Sequence, residues 1–110
     1  ECMTDQDKAI KGADFIYTKN WCSYDHYGQI LKTDDQWMIT PNKMELTNNG
    51  KFMHCLPAHR GDEVTDWVMD HDHSIVFDQA ENRMWAQMSL LAYLVSEGAW
   101  EAMFEFMGLD

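Results

Sequence analysis

Basic residues are scarce in this chain: 8 Lys and Arg stand against 19 Asp and Glu, a net charge of −11 over 110 residues. No basic run or aromatic-basic stripe offsets the deficit, which excludes a general binder of the nucleic-acid phosphate backbone. A small anionic ligand is still allowed, because local Arg and Lys set the field inside a cleft. Cysteine is sparse as well. Cys2, Cys22 and Cys55 are odd in number and scattered, so they make no disulfide scaffold and fit a reducing compartment. No apolar run is long enough to span a membrane, and no signal peptide or lipidation motif occurs, so the expected setting is cytoplasmic, without a membrane partner. Internal repeats and low-complexity tracts are absent too.

What is present has the pattern of an α/β domain. Three short apolar runs, Phe15–Tyr17, Phe52–Leu56 and Ile75–Phe77, are rich in aromatic or β-branched residues and too short for helices, so each reads as a strand. Helical stretches lie between them. Gln6–Lys11 precedes Gly12 as a C-cap, Thr40-Pro41 reads as an N-cap followed by proline at the first helical position, and Asn48-Asn49-Gly50 ends that helix. Asp62–Met69 places Val64, Val68 and Met69 on one face. From Ala80 onward Met84, Met88, Leu91 and Val95 recur at helical spacing, and after Gly98 a second apolar face carries Trp100, Met103, Phe104 and Met107. The alternation predicts a parallel sheet with crossover helices. Asn20–Met38, long, polar and carrying Tyr24, Tyr27 and Trp37, has the length of a functional loop or lid.

In a parallel sheet every strand ends on the same edge, where open α/β sheets bind their ligands. That edge collects Lys19, Asn20 and Trp21 after the first strand and Cys55, Leu56, His59 and Arg60 after the second. Asp78, Glu81, Asn82 and Arg83 follow the third and open the last helix. Lys19, Arg60 and Arg83 together suit an anionic ligand, since guanidinium binds carboxylate or phosphate bidentately. A cation near a helix N-terminus is unfavourable unless an anion lies nearby, which adds to the case for Arg83. Cys55 reads either as an inert buried thiol or as a nucleophile with His59 as its base, and no third residue orients that pair. The spacing of His54, Cys55, His59, His71 and His73 matches no zinc pattern, so no metal is expected. Asp34-Asp35 and Asp62-Glu63 read as solvated loop charges.

His54-Cys55-Leu56-Pro57 continues as Ala58-His59-Arg60-Gly61-Asp62-Glu63-Val64-Thr65-Asp66, and Ser74-Ile75-Val76-Phe77-Asp78-Gln79-Ala80-Glu81-Asn82-Arg83 follows. In order and separation these two runs resemble the C-terminal motifs of carbamoyltransferases of the ornithine type. The resemblance covers nearly the whole chain and implies a partial Rossmann-like, amino-acid-binding C-terminal domain at 1–98, with a helical tail at 99–110. It also implies roles. Cys55 and the Leu56 carbonyl would lie at the reacting centre, that carbonyl accepting from the carbamoyl NH₂. Arg83 would bind carbamoyl phosphate and donate to its carbonyl oxygen as negative charge builds there. The implied chemistry is attack of a neutral δ-amine on the carbamoyl carbon with loss of phosphate, needing no metal, cofactor or covalent enzyme intermediate. Holding two substrates in line supplies much of the rate.

After the first strand the sequence departs from the ornithine type. Ornithine carbamoyltransferases carry Asp-x-Trp-x-Ser-Met-Gly there, the Asp receiving ornithine's α-ammonium. This chain has Lys19-Asn20-Trp21-Cys22-Ser23-Tyr24-Asp25, in which Trp21 and Ser23 match and Lys19 replaces the Asp. Two like charges about 4 Å apart cost roughly 4 kcal/mol at an effective dielectric near 20. An acylated α-amine is neutral, and Lys19 could then pair with a carboxylate. This run, with Tyr27-Gly28 and Met44-Glu45-Leu46-Thr47-Asn48-Asn49-Gly50, is similar to the N-acetylornithine and N-succinylornithine carbamoyltransferases, whose members usually have Arg where His59 stands.

The resemblance therefore implies an arginine-biosynthetic transferase using carbamoyl phosphate and an Nα-acylated ornithine, with Lys19, Trp21, Ser23 and His59 addressing the amino-acid substrate. Ordinary ornithine or putrescine transfer, with Lys19 swung away, is the first alternative. A non-catalytic relative that keeps the fold is the second. The chain opens Glu1-Cys2-Met3 without an initiating Met, which points to a piece of a longer protein. The family's Ser-x-Arg-Thr and His-Pro-x-Gln motifs are absent, so these residues are expected to be inactive alone, and the resemblance implies a homotrimer at full length.

Overall fold

Strand β1 (Phe15–Thr18) alternates exposed Phe15, buried Ile16, exposed Tyr17 and half-buried Thr18, the period of two that a pleated strand imposes. Strand β2 (Lys51–His54) buries Phe52 and His54 on the same principle. In the computed structural model these two strands pair in parallel, with Phe15 opposite Lys51 and Thr18 opposite His54. The structure describes residues 2–22, 25, 26, 28–30, 34–95 and 99–108. Among them no helix is long and apolar enough to cross a membrane.

Helix α1 (Gln6–Ile10) precedes β1. Asp5 caps it by accepting from the Lys8 N–H, and Gly12, at φ +73°, follows its end. The crossover to β2 holds a 3₁₀ turn (Asp35–Trp37) and α2 (Pro41–Glu45). Pro41 opens α2 as its sequence predicts, although the Thr40 hydroxyl makes no capping bond. The Lys43 ammonium donates to Gln6 Oε1 and to the Gln36 carbonyl, and the Gln6 amide donates to the Trp37 carbonyl, fastening the turn to both helices. At Gly50 a Cβ would stand 2.8 Å from the Ala13 carbonyl, so only glycine lets the chain enter β2 at this approach.

The third expected strand is not one. Ser74 makes a single parallel bridge to Phe52, with bonds of 2.9 Å from the Phe52 N–H to the His73 carbonyl and from the Ile75 N–H to the Phe52 carbonyl. Helix α4 (Val76–Val95) then begins at once, four residues before Ala80. The His54 N–H, which a longer third strand would engage, donates instead to Gln79 Oε1 at 3.1 Å. Helix α3 (Asp66–Asp70) also starts later than its apolar spacing predicts. Thr65 caps it through the Val68 N–H, while Val64 bridges to Ile39.

Two compact units divide the chain, Glu1–Gln79 and Ala80–Asp110. The first contains the core, made of Ile10, Ile16, Ile39, Met44, Phe52, Val64, Val68, Met69 and Val76. The second comprises most of α4 together with α5 (Ala99–Met107). On α4 the expected apolar face of Met84, Met88, Leu91 and Val95 is exposed, so helical spacing there does not translate into burial among the described residues. Phe104 and Met107 are half-buried on α5, while Gly98 and the side chains of Trp100 and Met103 lie outside the described residues.

Candidate active site

The register Thr18–His54 makes Lys19 and Cys55 the first residues beyond two adjacent parallel strand ends. Chain reversal after β2 is held by His54 itself. Its Nδ1 accepts from the Leu56 N–H at 2.8 Å, which places the proton of the neutral imidazole on Nε2. That nitrogen stands 3.2 Å from Glu63 Oε1, and the two side chains are 0% and 2% exposed. Burial holds the His54 pKa below its ordinary value, against the opposing pull of the Glu63 carboxylate. Leu56 is left in the left-handed region at φ +48°, followed by a cis peptide bond to Pro57. A non-glycine residue in that region is uncommon and persists where its surroundings over-determine it, often at functional sites.

Glu63 also receives the His59 N–H, at 2.8 Å to the same Oε1. The His59 ring turns the same way, with Nδ1 3.7 Å from Glu63 Oε1 and the side chain 49% exposed. Its neighbour Arg60 is fully engaged elsewhere, forking onto Asp70 with two bonds of 2.7 Å and reaching Asp66 at 3.0 Å. On the first strand end, the Lys19 ammonium donates to the Cys22 carbonyl at 2.8 Å, the Asn20 carbonyl at 3.2 Å and Asn20 Oδ1 at 3.3 Å.

The two strand ends thus form a parallel sheet edge that carries a histidine-braced turn beside a lysine. The family model described as aspartate/ornithine carbamoyltransferase, Asp/Orn binding domain, matches residues 1–94. The chain belongs to this family. The N-succinylornithine carbamoyltransferase of Bacteroides fragilis (strain 638R) is 54% identical over 81 residues, covering 72% of this chain and 26% of the relative. Ornithine carbamoyltransferase from Pyrococcus furiosus superposes with a TM-score of 0.70 at 43% identity, covering 80% of this chain and 29% of that one. N-acetyl-L-ornithine transcarbamylase superposes at 0.72 with 37% identity, covering 84% and 30%. The chain thus spans under a third of the length of these carbamoyltransferases.

Within this carbamoyltransferase domain the expected site residues are placed unequally. Lys19, Trp21, Cys55, Leu56 and His59 lie in the first unit, on or just beyond the two strand ends. Ser23 lies outside the described residues. Arg83 is exposed on α4 in the second unit. Because α4 starts at Val76, Arg83 sits about two turns inside the helix, and the N-terminal dipole argument for it lapses.

Other expectations change as well. Cys55 is exposed, not buried, and the His59 ring addresses Glu63, so a Cys55–His59 nucleophile–base pair is not assembled. Arg60 is neutralised by two aspartates and does not join Lys19 as an anion ligand. Glu63, read from sequence as a solvated loop charge, is among the most buried side chains. The His54–Glu63 couple, which braces the turn beside the candidate site, is not legible in the sequence. Alternation along Lys51–His54 signals that His54 shares the buried face of Phe52, but nothing in the local pattern signals the burial of Glu63.

Proposed function

We propose that the intact protein transfers the carbamoyl group of carbamoyl phosphate to the δ-amine of an Nα-acylated ornithine, acetyl or succinyl, in cytoplasmic arginine biosynthesis, as a homotrimer. The observation carrying this reading is Lys19, standing at the strand end beside Cys55 where the ornithine type presents the Asp that receives an α-ammonium. A cation there opposes free ornithine and favours a substrate whose α-amine is masked and whose carboxylate is free. The name of the Bacteroides fragilis relative, N-succinylornithine carbamoyltransferase, supports the reading, as does that of the N-acetyl-L-ornithine transcarbamylase neighbour.

In this reading Lys19, Trp21, Ser23 and His59 address the amino-acid substrate, while Cys55, Leu56 and Arg83 address carbamoyl phosphate. The bent turn at Leu56 fits a carbonyl offered to the carbamoyl NH₂, and Arg83 would meet charge on the carbamoyl oxygen. The test is a substrate panel on the intact protein. Turnover of the acetyl or succinyl derivative should exceed that of ornithine, and an equal or greater rate with ornithine would reject acyl specificity.

A second reading, ordinary ornithine or putrescine transfer, is favoured by one specific observation. Lys19 Nζ is held by three oxygens of its own loop, the arrangement expected of a lysine that organises the loop and leaves the amine site to other groups. The same panel separates the two.

A further inference from the structure

Glu63 uses only half of its carboxylate. Oε1 is 2.8 Å from the His59 N–H, 3.2 Å from His54 Nε2 and 3.7 Å from His59 Nδ1. Oε2 is buried and has no hydrogen-bond partner among the described residues. A buried carboxylate oxygen without a partner is costly, and a native chain that keeps one calls for an explanation such as an ion. The turn around Gly61, at φ +87°, brings the side chains of His59 and Asp62 to the Glu63 carboxylate. The three ligating atoms of His59, Asp62 and Glu63 lie within 4.8 Å of one another.

We propose that His59, Asp62 and Glu63 form a divalent-cation site of the zinc class, with an open position for water. The chemistry selects the ion. One imidazole and two carboxylates suit Zn²⁺ or its spectroscopic surrogate Co²⁺, whereas Mg²⁺ and Ca²⁺ prefer an all-oxygen shell. Two carboxylates and a neutral imidazole balance the two positive charges, in a chain whose net charge of −11 attracts cations. Tetrahedral ligands about 2.1 Å from a metal stand roughly 3.4 Å apart. His59 is exposed and Asp62 half-buried, so closing the present spacing draws on two side chains that reach the surface. Glu63 is already oriented. His54 Nε2 and the His59 N–H occupy the side of Oε1, the arrangement by which neighbouring groups aim a ligating carboxylate. The site goes beyond the proposed reaction and does not depend on it.

The test is titration of the metal-free intact protein with Co²⁺, read by visible d–d absorption, and with Zn²⁺, read by calorimetry. Asp62→Asn is the first variant, because it is near the surface and outside the proposed substrate machinery. His59→Ala is the second. The expected result is one saturable ion per chain in wild type, with affinity lowered about tenfold to a hundredfold in each variant. Cys55→Ala should leave that affinity unchanged. Absence of saturable binding would overturn the site, leaving Glu63 Oε2 to water or to another part of the protein. So would an affinity lost in Cys55→Ala, or one insensitive to both Asp62→Asn and His59→Ala.

Discussion

His54 and Glu63 meet in the interior at 3.2 Å, one from the end of a strand and the other from the loop nine positions on. The imidazole is neutral with its proton on Nε2, since Nδ1 accepts from the Leu56 N–H. The pair ties the strand end, the left-handed Leu56 turn and the His59 loop into one unit. It is a brace on which the exposed residues of the site are mounted.

That brace has a defined pH signature. Folding holds the His54 pKa below 6.5, chiefly through burial, whereas the unfolded imidazole titrates near 6.5. Below that value the unfolded state binds more protons than the folded state. Stability should therefore be flat above about pH 6.5 and fall as pH drops toward the lower folded pKa. Urea midpoints across this window should show the slope in wild type and lose His54's share of it in His54→Asn, whose Oδ1 can still accept from the Leu56 N–H. An unchanged slope in the variant would assign the effect to other groups.

Removing the carboxylate acts in a definite direction on the same ring. Glu63 is the main influence raising the His54 pKa against burial, so Glu63→Gln should move the His54 titration, followed by NMR of the ring, to still lower pH. Glu63→Leu leaves the His59 N–H without its acceptor and removes the carboxylate beside His54 Nε2, and should cost about 1–3 kcal/mol of stability. A destabilisation well under that range would mean the couple is not formed.

Arg60 and Asp70 make a second clamp, at the surface. The guanidinium's hydrogen bonds hold the Asp70 carboxyl below its ordinary 3.8. The associated stability is present above pH 3.8 and is lost as pH falls through the lower folded value. Asp70→Asn should remove this component of acid unfolding and the salt dependence that goes with it. Arg60→Lys keeps the charge but loses the fork, and should retain only part of both effects.

Much of this architecture is legible in residue order. Two β-branched or aromatic runs separated by a helix that opens on proline specify a parallel pair, and Pro41 and Gly12 mark helix boundaries by local stereochemistry. The third run, Ile75–Phe77, misleads because its apolar character serves one buried contact at Val76. After the Ser74 bridge, the Gln79 side chain takes the bond a strand would make, a long-range substitution with no local pattern. Arg60 misleads for a related reason. A guanidinium reads as a ligand donor until the fold brings Asp70, ten residues on, to neutralise it.

Cys55 separates two chemistries. It is exposed beside the Leu56 turn, and His59, the one base proposed for it, points to Glu63. A wall of the carbamoyl phosphate site predicts that Cys55→Ala keeps a measurable kcat while KM for carbamoyl phosphate rises. Rapid-quench kinetics should show no burst of acyl-enzyme. Abolition of turnover together with a trapped thiocarbamate in wild type would restore the nucleophile.

The amine specificity turns on Lys19 and His59, and the two can be tested against each other. Lys19→Asp reverses the charge at the strand end. The side chain is exposed, so solvent reduces the full Coulomb term to about 1 kcal/mol, roughly a fivefold change in kcat/KM. In the proposed reading that change lowers kcat/KM for the acylated substrate and raises it for ornithine. Lys19→Met controls for the loop, since it removes the bonds to Cys22 and Asn20 without reversing charge. His59→Arg should act oppositely to Lys19→Asp, lowering KM for a succinylated substrate through a permanent cation with a bidentate fork. If Lys19→Met and Lys19→Asp weaken all amines alike, Lys19 organises the loop and the specificity lies elsewhere. If Lys19→Asp alone inverts the preference, the lysine reads the substrate directly.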